Sequence, residues 1–141
     1  MDSLKRILIA EDEANDIILM KIALEELSLE DECEVVQDGQ KALDFLYRRG
    51  DYTERTAGNP ELMLLDLKLP KVSGLEVLQE IRSDRRFDML AVVIFSSSLD
   101  ENDKTEALSS GASDFMIKPM GFDDFQKVIK KATSLYLSSR I

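Results

Sequence analysis

Short apolar runs alternate with amphipathic stretches along the whole chain. Five runs are typical of buried strands, and they span Ile7–Ala10, Cys33–Val36, Leu62–Leu65, Ala91–Phe95 and Phe115–Ile117. After each run, apolar residues recur at helical spacing, as Ile17, Met20 and Leu24 do after the first. The pattern therefore predicts five strands and five helices in strict alternation.

Strict alternation of strands and helices favours a parallel sheet with helices on both faces. The strands of such a sheet are covered on both sides and form continuous apolar runs, as the first, third and fourth runs do. Right-handed crossovers limit the topologies, and the flavodoxin-like order 2-1-3-4-5 is the commonest for five such units. We therefore predict an α/β fold, a flavodoxin-like (βα)5 doubly wound parallel sheet, whose ligand crevice opens at the carboxyl ends of strands one and three.

Turn and capping residues mark some of the helix ends. Ser73 and Asp100 are suited to cap the third and fourth predicted helices, and Gly111 is suited to end the fourth. The segment from Gly50 to Pro60 is irregular and long for a connection between a helix and a strand. Such loops are commonly functional or mobile, so a contact with a partner and a tolerated insertion both stay open for it.

The composition narrows the classes of function. With 28 acidic and 18 basic residues the net charge is −10, so nucleic acids and anionic lipid surfaces would repel the chain. The chain has no histidine, which excludes Ser-His-Asp triads and histidine metal sites, and its one cysteine, Cys33, is expected to be structural. We find neither a membrane-spanning run nor a secretory signal, and we expect a single domain over residues 1–141, without an output domain, in the cytoplasm.

Polar residues stand where four of the predicted strands end. Glu11 and Asp12 follow the first strand, Asp66 the third, Ser96 the fourth and Lys118 the fifth. Because the carboxyl ends of parallel strands lie along one edge of a sheet, these side chains are expected to converge. Acids, a hydroxyl and a lysine at neighbouring strand ends therefore predict a polar site at this edge.

The expected cluster of acids favours a bound cation. Two like charges about 4 Å apart repel by about 4 kcal/mol at an effective dielectric constant of about 20, and Glu11, Asp12 and Asp66 would face such repulsion. A hard divalent cation relieves it, and oxygen ligands without His or Cys suit Mg²⁺. An aspartate carboxylate can attack phosphorus, and phosphoryl transfer mainly needs positioning and charge neutralisation. The residues thus predict a Mg²⁺-dependent site for an aspartyl phosphate.

The same residues resemble the motifs of the response regulator receiver family, of which the bacterial chemotaxis response regulator is the best-known member. The matching segments are Ile7–Asp12 for the acidic pair, Leu64–Pro70 with Ser73-Gly74 for the phosphoacceptor, Phe95–Ser97 for the hydroxyl and Gly111–Pro119 for the lysine. Ser96 and Lys118 are 22 positions apart, which is the spacing that the family shows. The resemblance covers essentially the whole chain and implies a stand-alone response regulator that signals by conformational change, not an enzyme.

The resemblance also implies a role for each residue of the acidic cluster. Asp66 would accept a phosphoryl group from a phosphohistidine on a sensor kinase. Asp12 and Asp66 would bind Mg²⁺ directly, together with the backbone carbonyl of Lys68. Glu11 would act mostly through water in the outer shell of the metal.

The remaining positions of the family pattern carry the switch. Ser96 and Lys118 would hold phosphoryl oxygens. Phe115 matches the aromatic switch position, where the ring turns inward as the hydroxyl residue moves towards phosphate. The Lys118–Pro119 peptide bond would be cis and would fix the approach of the lysine.

The length of one connection points to a subgroup. Asp12 and Asp66 are 54 positions apart, which is more than in the chemotaxis protein, and the extra residues fall between Gly50 and Pro60. This extension resembles the phytochrome-associated single-domain regulators. It implies a phytochrome-type histidine kinase as the phosphoryl donor, a downstream protein target that the sequence does not identify, and a homodimer through the last helix. Phe122, Phe125 and Tyr136 are candidates for that dimer face, with Phe125 better suited to the core.

Three other interpretations agree less well with the sequence. A Mg²⁺-dependent phosphatase of the haloacid-dehalogenase type also uses an Asp nucleophile, but it needs a second Asp two positions later, where this chain has Lys68. A flavodoxin would place a phosphate next to Glu11, Asp12 and Glu13, which would repel it. A degenerate receiver that only binds partners is disfavoured because all five active-site positions hold competent residue types.

Overall fold

The computed structural model describes residues 3–138 as alternating strands and helices. Strands β1 to β5 span Ile7–Ala10, Cys33–Val36, Leu62–Leu65, Ala91–Ser96 and Asp114–Ile117. Helices α1 to α5 span Ala14–Glu26, Gly39–Tyr47, Gly74–Arg82, Glu101–Ser109 and Phe122–Tyr136. Short 3-10 turns lie at Glu30–Glu32, Gly50–Tyr52 and Arg85–Phe87. All five predicted strands and helices are present, and two strands are one residue longer than predicted.

The five strands form one parallel sheet in the order β2-β1-β3-β4-β5, which confirms the predicted topology. In register, Ala10 pairs with Leu65, and Leu65 pairs with Ile94. The next residues of β1 and β3 are Glu11 and Asp66, so the register carries both acids out of the sheet at the same level.

The core has two layers, one on each face of the sheet, because successive side chains of a strand point to opposite faces. On one face, alternate strand residues such as Leu8 and Met63 pack with α2, α3 and α4. On the other face, Ile9, Leu64 and Phe95 pack with α1 and α5. None of the helices within residues 3–138 is long and apolar enough to cross a membrane.

Side chains cap the helices that leave the functional edge of the sheet. The carboxylate of Glu13 accepts a hydrogen bond from the Asn15 amide at the start of α1. Ser73 and Asp100 cap α3 and α4 in the same way, as predicted from the sequence. Gly111 follows α4 with φ +105°, a conformation that glycine adopts without a steric penalty.

The long connection between α2 and β3 is tied down by Arg55. Its guanidinium lies 4.3 Å from the centroid of the Phe45 ring and donates hydrogen bonds to the carbonyls of Phe45, Ala57 and Gly58. The ring of Tyr52 packs edge-on against Phe45 at 5.1 Å. The connection is therefore packed onto α2 through specific contacts.

Cys33 lies at the start of β2, as predicted, and it is half-buried. Burial raises the pKa of its thiol to about 12. The thiol therefore stays protonated at neutral pH, which makes it a weak nucleophile and suits a structural role.

Candidate functional site

The carboxyl edge of the sheet brings the predicted polar residues together. Glu11 and Asp66 leave β1 and β3 as buried side chains, with 1% and 8% of their surface exposed. Ser96 ends β4 and is buried, and Lys118 follows β5 with a side chain that is 9% exposed. Asp12 is exposed beside them.

Three carboxylates form the acidic part of the site. Glu11, Asp12 and Asp66 each place one oxygen so that the three atoms lie within 4.8 Å of one another. Backbone amides orient two of these groups. The Oε2 of Glu11 accepts hydrogen bonds of 3.1 Å from the amides of Asp12 and Glu13, and Oδ1 of Asp66 accepts one of 3.1 Å from the amide of Lys68.

The ammonium of Lys118 lies among carboxylates and balances part of their charge. Its Nζ is 2.6 Å from Oε1 of Glu11, 2.8 Å from Oδ2 of Asp66 and 2.9 Å from Oδ2 of Asp16. Asp16 is absent from the residues predicted from the sequence. Its only sequence signal is that it is an acid in the first turn of the helix that directly follows the acidic strand end.

The surroundings raise the pKa values of two groups, which favours the neutral form of Glu11 and the charged form of Lys118. Burial raises the pKa of Glu11 to about 7; the charge of Asp66 acts in the same direction, and the hydrogen bond from Lys118 acts against it. Burial alone would lower the pKa of Lys118, but the bonds to Asp16, Asp66 and Glu11 outweigh burial and raise it. The lysine therefore stays charged, while the pKa of Glu11 falls once a cation approaches.

Ser96 is linked to helix α4 by a short chain of hydrogen bonds. Its Oγ accepts a bond of 3.1 Å from the amide of Ser98. The hydroxyl of Ser98 donates a bond of 2.6 Å to Oδ2 of Asp103 in α4. Phe115, the predicted switch residue, is half-buried in β5 and packs against the layer that α2, α3 and α4 cover.

One expectation about this site is wrong. Residues 3–138 contain no cis peptide bond, so the bond between Lys118 and Pro119 is trans. The trans form of a bond before proline is favoured by about 0.5–1 kcal/mol unless the surroundings select cis. Here the trans bond already brings the ammonium of Lys118 within 2.8 Å of Asp66, so positioning the lysine does not require the cis form.

The donors at this edge fit a hard divalent cation. All three clustered side chains offer carboxylate oxygens, and the chain has no histidine. A doubly wound parallel sheet with such an acidic cluster, a buried lysine and a buried hydroxyl at its carboxyl edge has the build of a phosphorylation-switch domain.

The chain belongs to the response regulator receiver domain family, whose model matches residues 7–130. Proteins of this family are signalling proteins, not catalysts, and they bind a divalent metal at an acidic pocket. The family match does not favour the phosphatase alternative.

Individual relatives agree with this assignment. The chain is 34% identical to FilR2 of Methanothrix harundinacea, described as a probable methanogenesis regulatory protein, over 93% of this chain and 83% of that one. It is 30% identical to the response regulator Rcp1 of Synechocystis, over 96% of this chain and 90% of that one.

Solved structures show the same fold. The phosphorylated cyanobacterial phytochrome response regulator RcpA superposes with a TM-score of 0.87 at 32% identity, covering 99% of this chain and 98% of that one. The Mn²⁺-bound form of Rcp1 superposes with a TM-score of 0.85 at 30% identity, covering 96% of each chain. The subgroup suggested by the long connection is thereby confirmed: this chain is a relative of phytochrome response regulators.

Proposed function

We propose that Asp66 accepts a phosphoryl group from a sensor histidine kinase in a reaction that needs Mg²⁺. One observation carries this proposal: the carboxylate of Asp66 lies between the acidic cluster and the ammonium of Lys118, 2.8 Å away. Phosphoryl transfer needs a nucleophile held among groups that neutralise charge, and this arrangement supplies both.

The residues around Asp66 divide the work of the transfer. A carboxylate oxygen of Asp66 attacks phosphorus, the P–N bond of the phosphohistidine breaks, and neutral imidazole leaves. Lys118 exchanges its contact with the carboxylate for one with a phosphoryl oxygen, and Ser96 binds another.

The metal would be held by side chains of the acidic cluster. Asp12 and Asp66 would bind Mg²⁺ together with the backbone carbonyl of Lys68, and Glu11 would act from the outer shell of the metal. Bound Mg²⁺ supplies positive charge to the phosphoryl oxygens.

Signalling follows from the charge that phosphorylation adds at Asp66, about −1.5 to −2. As Ser96 moves to the phosphoryl group, its bond from the Ser98 amide is lost, and with it the tie to Asp103 in α4. Phe115 then rotates into the space that Ser96 leaves. The surface formed by α4, β5 and α5 changes, and a downstream protein reads the change.

The proposed donor is a phytochrome-type histidine kinase, and the exchange takes place in the cytoplasm. The likeness to RcpA, a phytochrome response regulator, supports the kinase class. The single cysteine, which rules out a disulfide within the chain, suits a reducing compartment.

The last helix is the proposed face of a homodimer. Of its three aromatic candidates, Phe122 is about half exposed, whereas Phe125 is buried against Phe95 and the Tyr136 hydroxyl donates a hydrogen bond to Asp114. Phe122 therefore carries this part of the proposal. Sedimentation in both phosphorylation states tests it, and a monomer in both contradicts it.

Intact mass after incubation with acetyl phosphate tests the site. The wild type is expected to gain one phosphoryl group only with Mg²⁺, and Asp66→Asn is expected to gain none. Asp100→Asn is the matched control, because Asn caps α4 as well as Asp does and the change removes the same charge. Uptake by Asp66→Asn, or uptake by the wild type without Mg²⁺, would overturn the proposal.

A further inference from the structure

The third carboxylate on Lys118 belongs to none of the motifs that define the site. Oδ2 of Asp16 lies 2.9 Å from the ammonium, although the residue stands on helix α1 and not at a strand end. The cluster of acids that fits a metal contains Glu11, Asp12 and Asp66, but not Asp16. Asp16 thus contacts the lysine without belonging to the acidic cluster.

We infer that Asp16 is a positioning residue that holds the Lys118 ammonium in place for phosphoryl transfer. The inference rests on the proposed role of Asp66 as the phosphoryl acceptor. Asp16 acts through Lys118 and does not contact the phosphoryl group.

The Lys118 ammonium has enough hydrogen-bond donors for three partners. An ammonium has three N–H donors and no acceptor, and here three carboxylates, those of Glu11, Asp16 and Asp66, lie at ion-pair distance. A lysine side chain is a flexible four-carbon stem that loses rotamer entropy when it is held in one position. Each charged partner therefore restricts the ammonium further, and Asp16 supplies a third point of attachment.

Phosphorylation makes this third attachment matter. Once Asp66 forms a bond to phosphorus, its negative charge passes to the phosphoryl oxygens, and the ammonium must follow that charge. Glu11 keeps Oε1 on the ammonium at 2.6 Å, but it also belongs to the acidic cluster that would hold the metal. Asp16 is the one of the two remaining carboxylates that lies outside this cluster, so it helps to retain the ammonium independently of the metal while the contact with Asp66 is exchanged.

The location of Asp16 suits a fixed anchor. It lies in the first turn of α1, where the helix dipole favours a negative charge, and its side chain is 22% exposed. The first turn is set by the cap at Glu13, whose carboxylate accepts a bond of 3.0 Å from the Asn15 amide. A carboxylate on a capped helix is held more rigidly than one on a loop.

The experiment compares Asp16→Asn with the wild type at saturating Mg²⁺. We expect phosphorylation by acetyl phosphate to slow by about tenfold, since a hydrogen bond to a charged group is lost. Affinity for Mg²⁺, measured by titration calorimetry, is expected to change by less than about threefold, because Asp16 is outside the metal cluster. Asp16→Glu keeps the charge and is expected to recover part of the rate.

Asp123→Asn is the matched control, because Asp123 is an exposed acid in the first turn of α5. Asp123→Asn removes one negative charge from the first turn of a helix, as Asp16→Asn does. We expect acetyl phosphate to phosphorylate this variant at the wild-type rate. If Asp123→Asn slows phosphorylation as much as Asp16→Asn does, a general charge effect replaces the positioning role.

A second readout does not depend on phosphorylation. In ¹⁵N spectra of the unphosphorylated protein, the Lys118 ammonium, assigned through Lys118→Arg, is expected to exchange its protons faster in Asp16→Asn. Unchanged exchange, or a wild-type rate of phosphorylation in Asp16→Asn, would overturn the inference. If the wild type takes up no phosphoryl group, the proposed function is contradicted. The proton exchange of the Lys118 ammonium then still tests whether Asp16 holds this ammonium. Should Asp16→Asn fail to fold, Asp16→Glu carries both measurements.

Discussion

Replacing Lys118 with Met removes the positive charge that three carboxylates share. The substitution keeps the apolar stem, so packing changes little, but Glu11 and Asp66 are left in a buried cluster without their cation. We predict that Lys118→Met destabilises the metal-free protein and that a divalent cation offsets this loss more than it stabilises the wild type.

The expected loss in the free energy of unfolding follows from the burial of Glu11 and Asp66, which pair with Lys118. Removing one member of a buried ion pair destabilises a protein by about 3–5 kcal/mol. The low end applies here, because the pKa of Glu11 is already about 7 and the carboxyl group can take up a proton when the ammonium is gone. For a chain of 141 residues the entropy of unfolding is about 0.3 kcal/mol per degree, so about 3 kcal/mol lowers Tm by about 10 °C.

Thermal unfolding followed by circular dichroism, with EDTA and then with saturating Mg²⁺, measures both effects. Lys130→Met is the control, because Lys130 pairs with Glu26 at 2.7 Å on the surface, where both side chains are more than 40% exposed. An exposed pair contributes about 0–1 kcal/mol, so its Tm should fall by no more than about 3 °C. Equal losses in the two variants, or a Mg²⁺ effect no larger in Lys118→Met than in the wild type, would refute the reasoning.

Two further predictions concern the metal and the backbone of the site. The pKa of Glu11 is about 7 without metal, and the ionised cluster binds a cation better than the protonated one. Mg²⁺ should therefore bind about tenfold more weakly at pH 6 than at pH 8, as measured by calorimetry. Equal affinities at the two pH values would contradict this prediction. A Cβ at Gly74 would overlap the backbone carbonyl oxygen of Asp66, so Gly74→Ala should lower the free energy of unfolding, measured in urea, by more than about 2 kcal/mol. Gly121 has open space around it and serves as the control. Gly121→Ala should change the free energy of unfolding by less than about 0.5 kcal/mol.

The sheet and the strand-end residues could be predicted because their signals are local. A buried parallel strand is a continuous apolar run, and β1 and β3 are buried at every residue. Once the strands are parallel, the polar residue after each one must lie at the same edge, so Glu11, Asp66 and Lys118 follow from topology alone.

The contacts of Asp16, Ser98 and Asp103 could not be predicted in this way. Whether a residue in the first turn of a helix faces the site depends on how the helix is rotated about its axis, and packing against the sheet and α5 sets that rotation for α1. The bond from Ser98 to Asp103 likewise depends on the path of the loop between β4 and α4. Local patterns carry no information about either.

The Lys118 ammonium explains how the fold tolerates its own acidic cluster. Water can solvate the acids of an exposed metal site, but Glu11 and Asp66 are buried, and buried negative charges without a partner would destabilise the fold. The ammonium keeps Asp66 next to a fixed positive charge whether or not a cation is bound. The charge that stabilises the metal-free fold is therefore also the charge that stands beside the proposed phosphoryl acceptor, where it can neutralise a phosphoryl oxygen.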